Sequence, residues 1–128
     1  MNRKFYKGNK YHAKKIEING EKFDSVREYR RFLQLKDLEE KQQIFNLRRQ
    51  VKYILIPTQR EPDTIGKRGG VKKGKILEKE CAYYADFVYF IPGCEKEIVE
   101  DTKGMRTTDY IIKRKLMLYK YGIKLKEI

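Results

Sequence analysis

Two strand-like segments joined by a tight turn constrain the fold of this 128-residue chain more than any other feature. The segments, residues 75–90 and 97–103, contain β-branched and aromatic residues, which favour strands, and Pro92-Gly93 between them suits a type II turn. We therefore predict an antiparallel hairpin here. If residues 91–96 form its connection, Asp86 lies opposite Asp101 on the neighbouring strand.

The chain before this hairpin predicts three further elements. The stretch "KKIEINGEKF" contains Asn19-Gly20, a dipeptide that favours a type I′ turn and therefore a first hairpin. Ser25 and Glu28 have the spacing of a helix capping box, and apolar residues then recur at helical intervals to about Gln43. The segment "QVKYILIP" predicts a strand that ends at Pro57.

Two elements are expected after residue 103. Thr107 or Thr108 is positioned to cap a helix that runs to Gly122, and "IKLKEI", which begins at Ile123, alternates as a last strand. This order predicts an α+β (α/β) fold with a mixed β-sheet flanked by helices, formed by a single domain over residues 14–128. Residues 1–13 show no clear period and are expected to form a basic N-terminal arm.

Composition indicates the kind of partner. The chain has 31 Lys and Arg against 18 Asp and Glu, a net charge of +13, which favours a polyanion such as nucleic acid. The charge by itself also fits a basic protein that binds nucleic acid without any enzyme activity. No stretch approaches the roughly 18 apolar residues that span a bilayer, so we expect no membrane association and a cytoplasmic protein.

Three charged residues of the predicted hairpin suggest a site. Side chains alternate along a strand, so Asp101 and Lys103 project to the same face, next to Asp86. Two adjacent carboxylates repel each other unless a cation lies between them, and Mg²⁺ or Mn²⁺ suits such oxygen ligands. A metal ion with a nearby lysine is suited to phosphodiester hydrolysis. The alternative is a solvated hairpin in which Asp86 and Lys103 form a surface ion pair.

These residues also resemble a known family. "YAD" followed by "VEDTKG" resembles the PD-(D/E)XK nuclease superfamily, with Asp86, Asp101 and Lys103 as its acidic residues and lysine, although Ala85 replaces the proline of the signature. The resemblance implies a restriction-endonuclease-like core, and a metal shell that includes the backbone carbonyl of Thr102. It also implies an acidic residue from the first helix, where Glu28 stands, although Glu28 is equally suited to the capping box.

The order of elements, and "VEDTKG" followed by "TTDYIIKRKLMLYKYG", are similar to small phage nucleases of the endonuclease I and Holliday-junction-resolvase type. This resemblance implies a Mg²⁺-dependent endodeoxyribonuclease that cuts branched DNA during phage replication, recombination or packaging, in the cytoplasm of a bacterial host. No small-molecule substrate is expected. A restriction or nicking nuclease of the same fold is an alternative.

A junction needs two symmetric incisions, and one chain offers a single candidate site, so we expect a homodimer. The candidate dimer surfaces are the apolar helix face around Phe32 and Leu35 and the final strand from Ile123.

Further basic residues are candidates for contact with DNA. Residues 58–75 are rich in glycine and are expected to form a flexible loop, in which Lys67, Arg68, Lys72 and Lys73 would contact the phosphate backbone or remain simply solvated. Arg106 and Lys113 are expected to flank the site from the last helix, and the family resemblance points to Lys113 in particular.

Overall fold

The structure, a computed structural model, describes residues 15–128, so the predicted arm at residues 1–13 lies outside the described residues. Along the chain the elements are β1 (Ile16–Ile18), β2 (Glu21–Phe23), α1 (Val26–Glu40), β3 (Phe45–Ile56), β4 (Gln59–Arg60), β5 (Thr64–Ile65), β6 (Val71–Lys72), β7 (Ile76–Glu78), β8 (Cys81–Phe90), β9 (Ile98–Asp101), α2 (Thr108–Tyr121) and β10 (Lys126–Glu127). The prediction of an α+β chain with a mixed sheet is confirmed. Within residues 15–128, neither helix is long and apolar enough to cross a membrane.

Four strands form the central sheet in the order β10-β9-β8-β3. Strands β3, β8 and β9 pair antiparallel, whereas β10 returns after α2 and pairs parallel with β9. The sheet is therefore mixed, because a hairpin joins β8 to β9 and a helical crossover joins β9 to β10. Strand β10 lies at an edge of this sheet.

The two helices cover opposite faces of the sheet. Leu35 of α1 packs with Phe87 and Tyr89, whereas Met117 of α2 packs in a second cluster that contains Val88. Phe87 and Val88 are consecutive in β8, and consecutive residues of a strand point to opposite faces. The core therefore has two layers, with α1 over one face of the sheet and α2 over the other.

The alternation of side chains reverses in the middle of β3 and β8. Ala85 packs on the α2 side and Phe87 on the α1 side, although residues two apart in a regular strand share a face. The pairings Val51 with Ala85 and Arg49 with Phe87 place Gln50 opposite Asp86 at the reversal. Gln50 has a φ of 51°, in the left-handed region, so the backbone of β3 turns over at this residue.

The predicted helix starts are confirmed. The hydroxyl of Ser25 accepts a hydrogen bond from the Glu28 N–H, and Thr107, one of the two predicted caps, accepts one from the Tyr110 N–H. Helix α1 ends at Glu40 rather than near Gln43, because Gln42 adopts a left-handed φ of 59° and breaks the helical path. Helix α2 ends at Tyr121 and Gly122 caps it with a φ of 66°, which confirms Gly122 as the predicted stop.

Two predictions about the middle of the chain were wrong. Residues 58–75 were predicted to form a flexible loop, but short antiparallel ladders, β4 with β7 and β5 with β6, lie in and next to this segment. The strand predicted over residues 75–90 is two strands, because the chain breaks at residues 79–80, where the Glu80 N–H donates to the Thr58 hydroxyl. Local strand propensity does not reveal which partner each half pairs with.

One predicted dimer surface is also wrong. Leu35 is 0% exposed and packs in the core with Phe87, and Phe32 packs against the same cluster. The apolar face of α1 is therefore covered by the sheet of its own chain. The other proposed surface, the final strand, is shorter than predicted but does lie at an edge.

Candidate active site

The hairpin of β8 and β9 brings the two predicted aspartates together. Its register pairs Phe87 with Glu100 and Val88 with Val99, and one further step along both strands places Asp86 opposite Asp101, as predicted. The turn between the strands has a Cys94 N–H that donates to the Ile91 carbonyl. The site thus lies where β8 reverses its alternation and where β9 ends.

The Asp86 carboxylate is held by three donors. The N–H and the hydroxyl of Thr102 donate to its Oδ2 at 2.9 and 2.8 Å, and the side-chain amide of Gln50 donates to its Oδ1 at 3.1 Å. Thr102 was predicted to contribute its backbone carbonyl to a metal. Its N–H and hydroxyl have a different role in the structure, because they orient the neighbouring carboxylate.

Asp101 is almost fully buried, with 1% exposure. The Tyr83 hydroxyl donates to its Oδ2, whereas its buried Oδ1 has no hydrogen-bond partner. Burial, and secondly the nearby charge of Asp86, raise the pKa of the Asp101 carboxyl to about 6, even though the Tyr83 hydrogen bond and Lys103 favour the ionised form. The ionised carboxylate is thus short of compensating charge.

Lys103 lies beside this unsatisfied oxygen. Its Nζ is 3.4 Å from Asp101 Oδ1 and 4.6 Å from the centre of the Tyr110 ring in α2. The side chain of Arg27, at the start of α1, donates to the Lys103 carbonyl at 3.3 Å. The lysine therefore contacts both Asp101 and α2, and α1 contacts its backbone.

Glu28 reaches the site from α1. It is 1% exposed, and its Oε1 accepts a hydrogen bond at 3.1 Å from the same Gln50 amide group that binds Asp86. Burial first, and then the charge of Asp86, raise the pKa of the Glu28 carboxyl. The Coulombic effect of Asp86 on both Glu28 and Asp101 indicates that the three carboxyl groups share one electrostatic environment.

Glu28 contacts both the start of α1 and the site, and its role as the acidic residue of a metal shell stays a prediction. Its N–H donates to the capping hydroxyl of Ser25, and its Oε2 accepts a hydrogen bond from the Asp24 N–H at 2.8 Å rather than from the Ser25 N–H of a reciprocal capping box. One carboxylate oxygen thus serves the start of the helix. The other faces Gln50, and the Nη2 atom of Arg49 lies 3.6 Å from it.

Gln50 and Tyr83, which donate to Asp86 and Asp101, are site residues that were not predicted from the sequence, and Gln50 is the less expected of the two. It lies in "QVKYILIP", where the strand pattern predicts an ordinary β residue and gives no sign of a left-handed conformation. A polar residue next to apolar strand positions is the only signal, and such residues are common on solvated strand faces. Its importance follows from its pairing position opposite Asp86, which depends on the register of β3.

The predicted DNA-binding residues are dispersed. Lys67, Arg68, Lys72 and Lys73 lie at or beside the β5–β6 ladder, which belongs to a separate two-stranded sheet. Arg106 forms an ion pair with Glu127, and Lys113 is half-buried on the stripe of α2 between Tyr110 and Met117. The structure brings Glu28, Asp86, Asp101, Thr102 and Lys103 together, but not the basic residues of the ladder.

Asp86 and Asp101 are the candidate ligands for a metal ion at this site. Within residues 15–128, no three His, Cys, Asp or Glu side chains are arranged to hold a metal as they stand. Asp86 and Asp101 nevertheless provide two adjacent carboxylates, and Asp101 Oδ1 is buried without a hydrogen bond. Mg²⁺ and Mn²⁺ prefer oxygen ligands and are often bound by only one or two carboxylates together with water. The donor set fits such an ion.

Comparison with known proteins identifies a family. The family model described as "Protein of unknown function (DUF1064)" matches residues 8–128, and the chain belongs to that family. No curated protein and no solved structure matches the chain.

Proposed function

We propose that this member of the family is a metal-dependent DNA endonuclease of PD-(D/E)XK type. The observation that carries the proposal is the convergence of Asp86 and Asp101 on neighbouring strands, with an unsatisfied Asp101 oxygen beside the Lys103 ammonium group. A buried carboxylate oxygen that has no hydrogen bond, and only the partly exposed Lys103 ammonium group at 3.4 Å as an ionic partner, is costly for folding alone. A bound cation would remove that cost, which supports a functional origin for the arrangement.

The residues would divide the work as follows. Asp86 and Asp101 would hold Mg²⁺ or Mn²⁺, and the carbonyl of Thr102 is the proposed third ligand. Such an ion supplies charge neutralisation at a phosphodiester and lowers the pKa of a bound water. Lys103 would orient the attacking water or stabilise negative charge on the phosphate. Gln50, whose side-chain amide donates hydrogen bonds to both Glu28 and Asp86, would hold their carboxylates in place.

We further propose that the substrate is branched DNA. Support comes from the net charge of +13, which favours a polyanion, and from the resemblance of the motif and element order to junction-cutting phage nucleases. The same resemblance underlies the proposed restriction-endonuclease-like core, homodimer and role in phage replication, recombination or packaging. Strand β10, at a sheet edge, is the proposed dimer contact.

The test is a cleavage assay with purified protein on linear, nicked, flap and four-way DNA, in Mg²⁺, in Mn²⁺ and in EDTA. We expect incision that needs the metal, and more of it on branched substrates. Asp86→Asn, Asp101→Asn and Lys103→Ala should each abolish cleavage. DNA affinity should persist or rise for the aspartate variants, because neutralising an acid removes repulsion of phosphate.

Two outcomes would overturn the proposal. Tight DNA binding without incision of any substrate in either metal would favour a non-enzymatic nucleic-acid-binding protein. Wild-type turnover in one of the three variants would remove that residue from the mechanism. Asp37→Asn is the matched control, since this aspartate is exposed on α1 and pairs with Lys41.

A further inference from the structure

The segment between β3 and β8 forms its own small ladders, and it is distinct from the predicted N-terminal arm at residues 1–13. We call residues 59–78 the arm; it consists of the β4–β7 ladder and, beyond it, the β5–β6 ladder. Neither ladder joins the four-stranded sheet. Strand β7 leads directly into β8, the strand that carries Asp86. The arm therefore projects from the sheet that holds the candidate active site.

Hydrogen bonds and a close backbone approach at Gly74 hold the joint between the two ladders in place. The buried Gly74 donates its N–H to the Asp63 carboxylate at 2.9 Å and accepts a hydrogen bond from Arg60 at 3.1 Å. A Cβ at Gly74 would lie 1.7 Å from the Glu61 carbonyl oxygen, so only glycine allows the backbones to cross here. The arm is an exposed but structured ribbon rather than an irregular loop.

The outer ladder presents two adjacent aliphatic side chains to solvent. Ile65 pairs directly with Val71, and the two residues are 80% and 75% exposed. Directly paired residues lie on the same face of a ladder, so the two side chains form one apolar pair. Two such residues side by side at the end of a ribbon need a covering surface more than a single exposed residue does.

Positive charge surrounds this pair. Between Thr64 and Lys75 the sequence contains five Lys or Arg and no acidic residue. Among residues 15–128, no ion pair involves Lys67, Arg68, Lys72 or Lys73. These like charges would repel the β5–β6 ladder of a second copy, so a second copy is disfavoured as the partner that covers the apolar pair. The same charges complement phosphate.

We propose that Ile65 and Val71 form a wedge that enters DNA between base pairs while the surrounding lysines and arginine contact the phosphates. Aliphatic side chains inserted between base steps unstack them and bend the duplex. Unstacking costs least where stacking is already interrupted, so the wedge would favour a branch point over a matched duplex. The choice of DNA as partner rests on the proposed function; the wedge adds the residues that select DNA shape.

The test measures binding without cleavage. Wild type and the Ile65→Ser/Val71→Ser variant are titrated in EDTA, at several salt concentrations, with a linear duplex and with a four-way junction that carries 2-aminopurine at the branch. We expect the variant to bind the junction roughly tenfold more weakly. It should also lose the 2-aminopurine signal of unstacking and keep the salt dependence of wild type.

A second variant and a control separate the role of the apolar pair from that of the surrounding basic residues. Neutralising Lys67, Arg68, Lys72 and Lys73 with glutamine should flatten the salt dependence, because fewer counterions are released on binding. Leu118→Gln alters an exposed leucine on α2, outside the arm, and should change neither measurement. Both substituted wedge residues are exposed, so the fold should be retained, and circular dichroism checks this.

Three results would overturn the wedge. The first is junction binding and 2-aminopurine signal in the Ser variant equal to those of wild type. The second is conversion of a wild-type dimer to a monomer by the Ser substitutions in sedimentation, which would make the pair a contact between copies. The third is wild-type binding to anionic lipid vesicles that the Ser variant loses, which would make it a membrane contact. Wedge-dependent binding without Mg²⁺-dependent incision would support the wedge and overturn only the nuclease proposal.

Discussion

At the scale of single residues, the Asp101 carboxyl couples the candidate site to stability. Its pKa is raised from the usual 3.8 to about 6, chiefly by burial. In the metal-free protein the folded chain therefore holds this proton over a range in which the unfolded chain has released it. The contribution of this proton to the free energy of unfolding is therefore fully present below about pH 3.8. It is lost as the pH rises through about 6.

We predict that Asp101→Asn is more stable than wild type at pH 7 in EDTA, by about 1–3 kcal/mol, because asparagine carries no charge to bury. The advantage should shrink towards pH 4. Urea denaturation of both proteins at several pH values measures it. Mg²⁺ should stabilise wild type and not the variant. An equal difference at pH 4 and pH 7 would contradict the assignment of this pKa.

Gln50 is the residue whose role depends most on geometry. Its amide group links Glu28 to Asp86, and it occupies a left-handed conformation that asparagine also tolerates. We predict that Gln50→Asn, whose shorter amide cannot bridge the carboxylates, raises the Mg²⁺ concentration needed for half-maximal cleavage by about 10- to 100-fold, because loss of outer-shell support typically weakens metal binding by that much. The measurement is the Mg²⁺ midpoint of activity.

Gln42→Asn provides the control for this prediction. Gln42 also has a left-handed φ, 59°, and is exposed as Gln50 is, but it lies beyond the end of α1, whereas Gln50 donates to Glu28 and Asp86. Its substitution should leave the Mg²⁺ midpoint unchanged. If Gln50→Asn behaves like Gln42→Asn, the amide bridge has no part in binding the metal.

At the scale of elements, a buried ion pair fixes α1 to the sheet. The Arg31 guanidinium contacts both carboxylate oxygens of Glu100, at 2.7 and 2.9 Å, and the Tyr89 hydroxyl donates to the same carboxylate. Glu100 is fully buried and directly precedes Asp101. This contact therefore sets the position of the helix that carries Glu28 relative to the strand that carries Asp101.

We predict that Arg31→Met destabilises the protein by about 3–5 kcal/mol, because it leaves a buried carboxylate without its cation. The double variant Arg31→Met/Glu100→Leu should recover most of this loss, since it removes both charges. Chemical denaturation of the two single variants and the double variant forms the cycle. Additive losses would show that the pair does not act as a unit.

At the scale of the whole molecule, the proposed cleavage of a DNA junction requires two copies of the chain. One chain has one candidate site, and cutting both strands at a branch needs two sites related by a two-fold axis. The edge strand β10 offers a route to such a dimer, because its outer side pairs with no strand among residues 15–128. Edge strands that remain unpaired readily accept another strand.

We predict that the protein sediments as a dimer and makes paired nicks in a four-way junction. Mixed dimers of wild type and Asp101→Asn should then nick only one strand of each junction, because each active site acts on one strand. Denaturing gels of the products report this ratio directly. A strict monomer, on and off DNA, that cuts linear duplex as readily as junctions would point instead to a general or repair nuclease.

The sequence by itself determined the features that depend on neighbouring residues. Ser25, Thr107 and Gly122 mark helix ends because capping is satisfied within one turn, and Pro92-Gly93 sets the register that pairs Asp86 with Asp101. These local rules also place Lys103 on the side of Asp101.

Only the tertiary structure decided which distant segments meet. The left-handed backbone at Gln50, the burial of Asp101 and the approach of Glu28 all require the packing of α1 and β3 on β8. The arm could not be predicted for the same reason, since the need for glycine at position 74 arises only because the Glu61 backbone packs closely against it. Such contacts depend on how whole elements bury their apolar faces, which short-range sequence patterns do not encode.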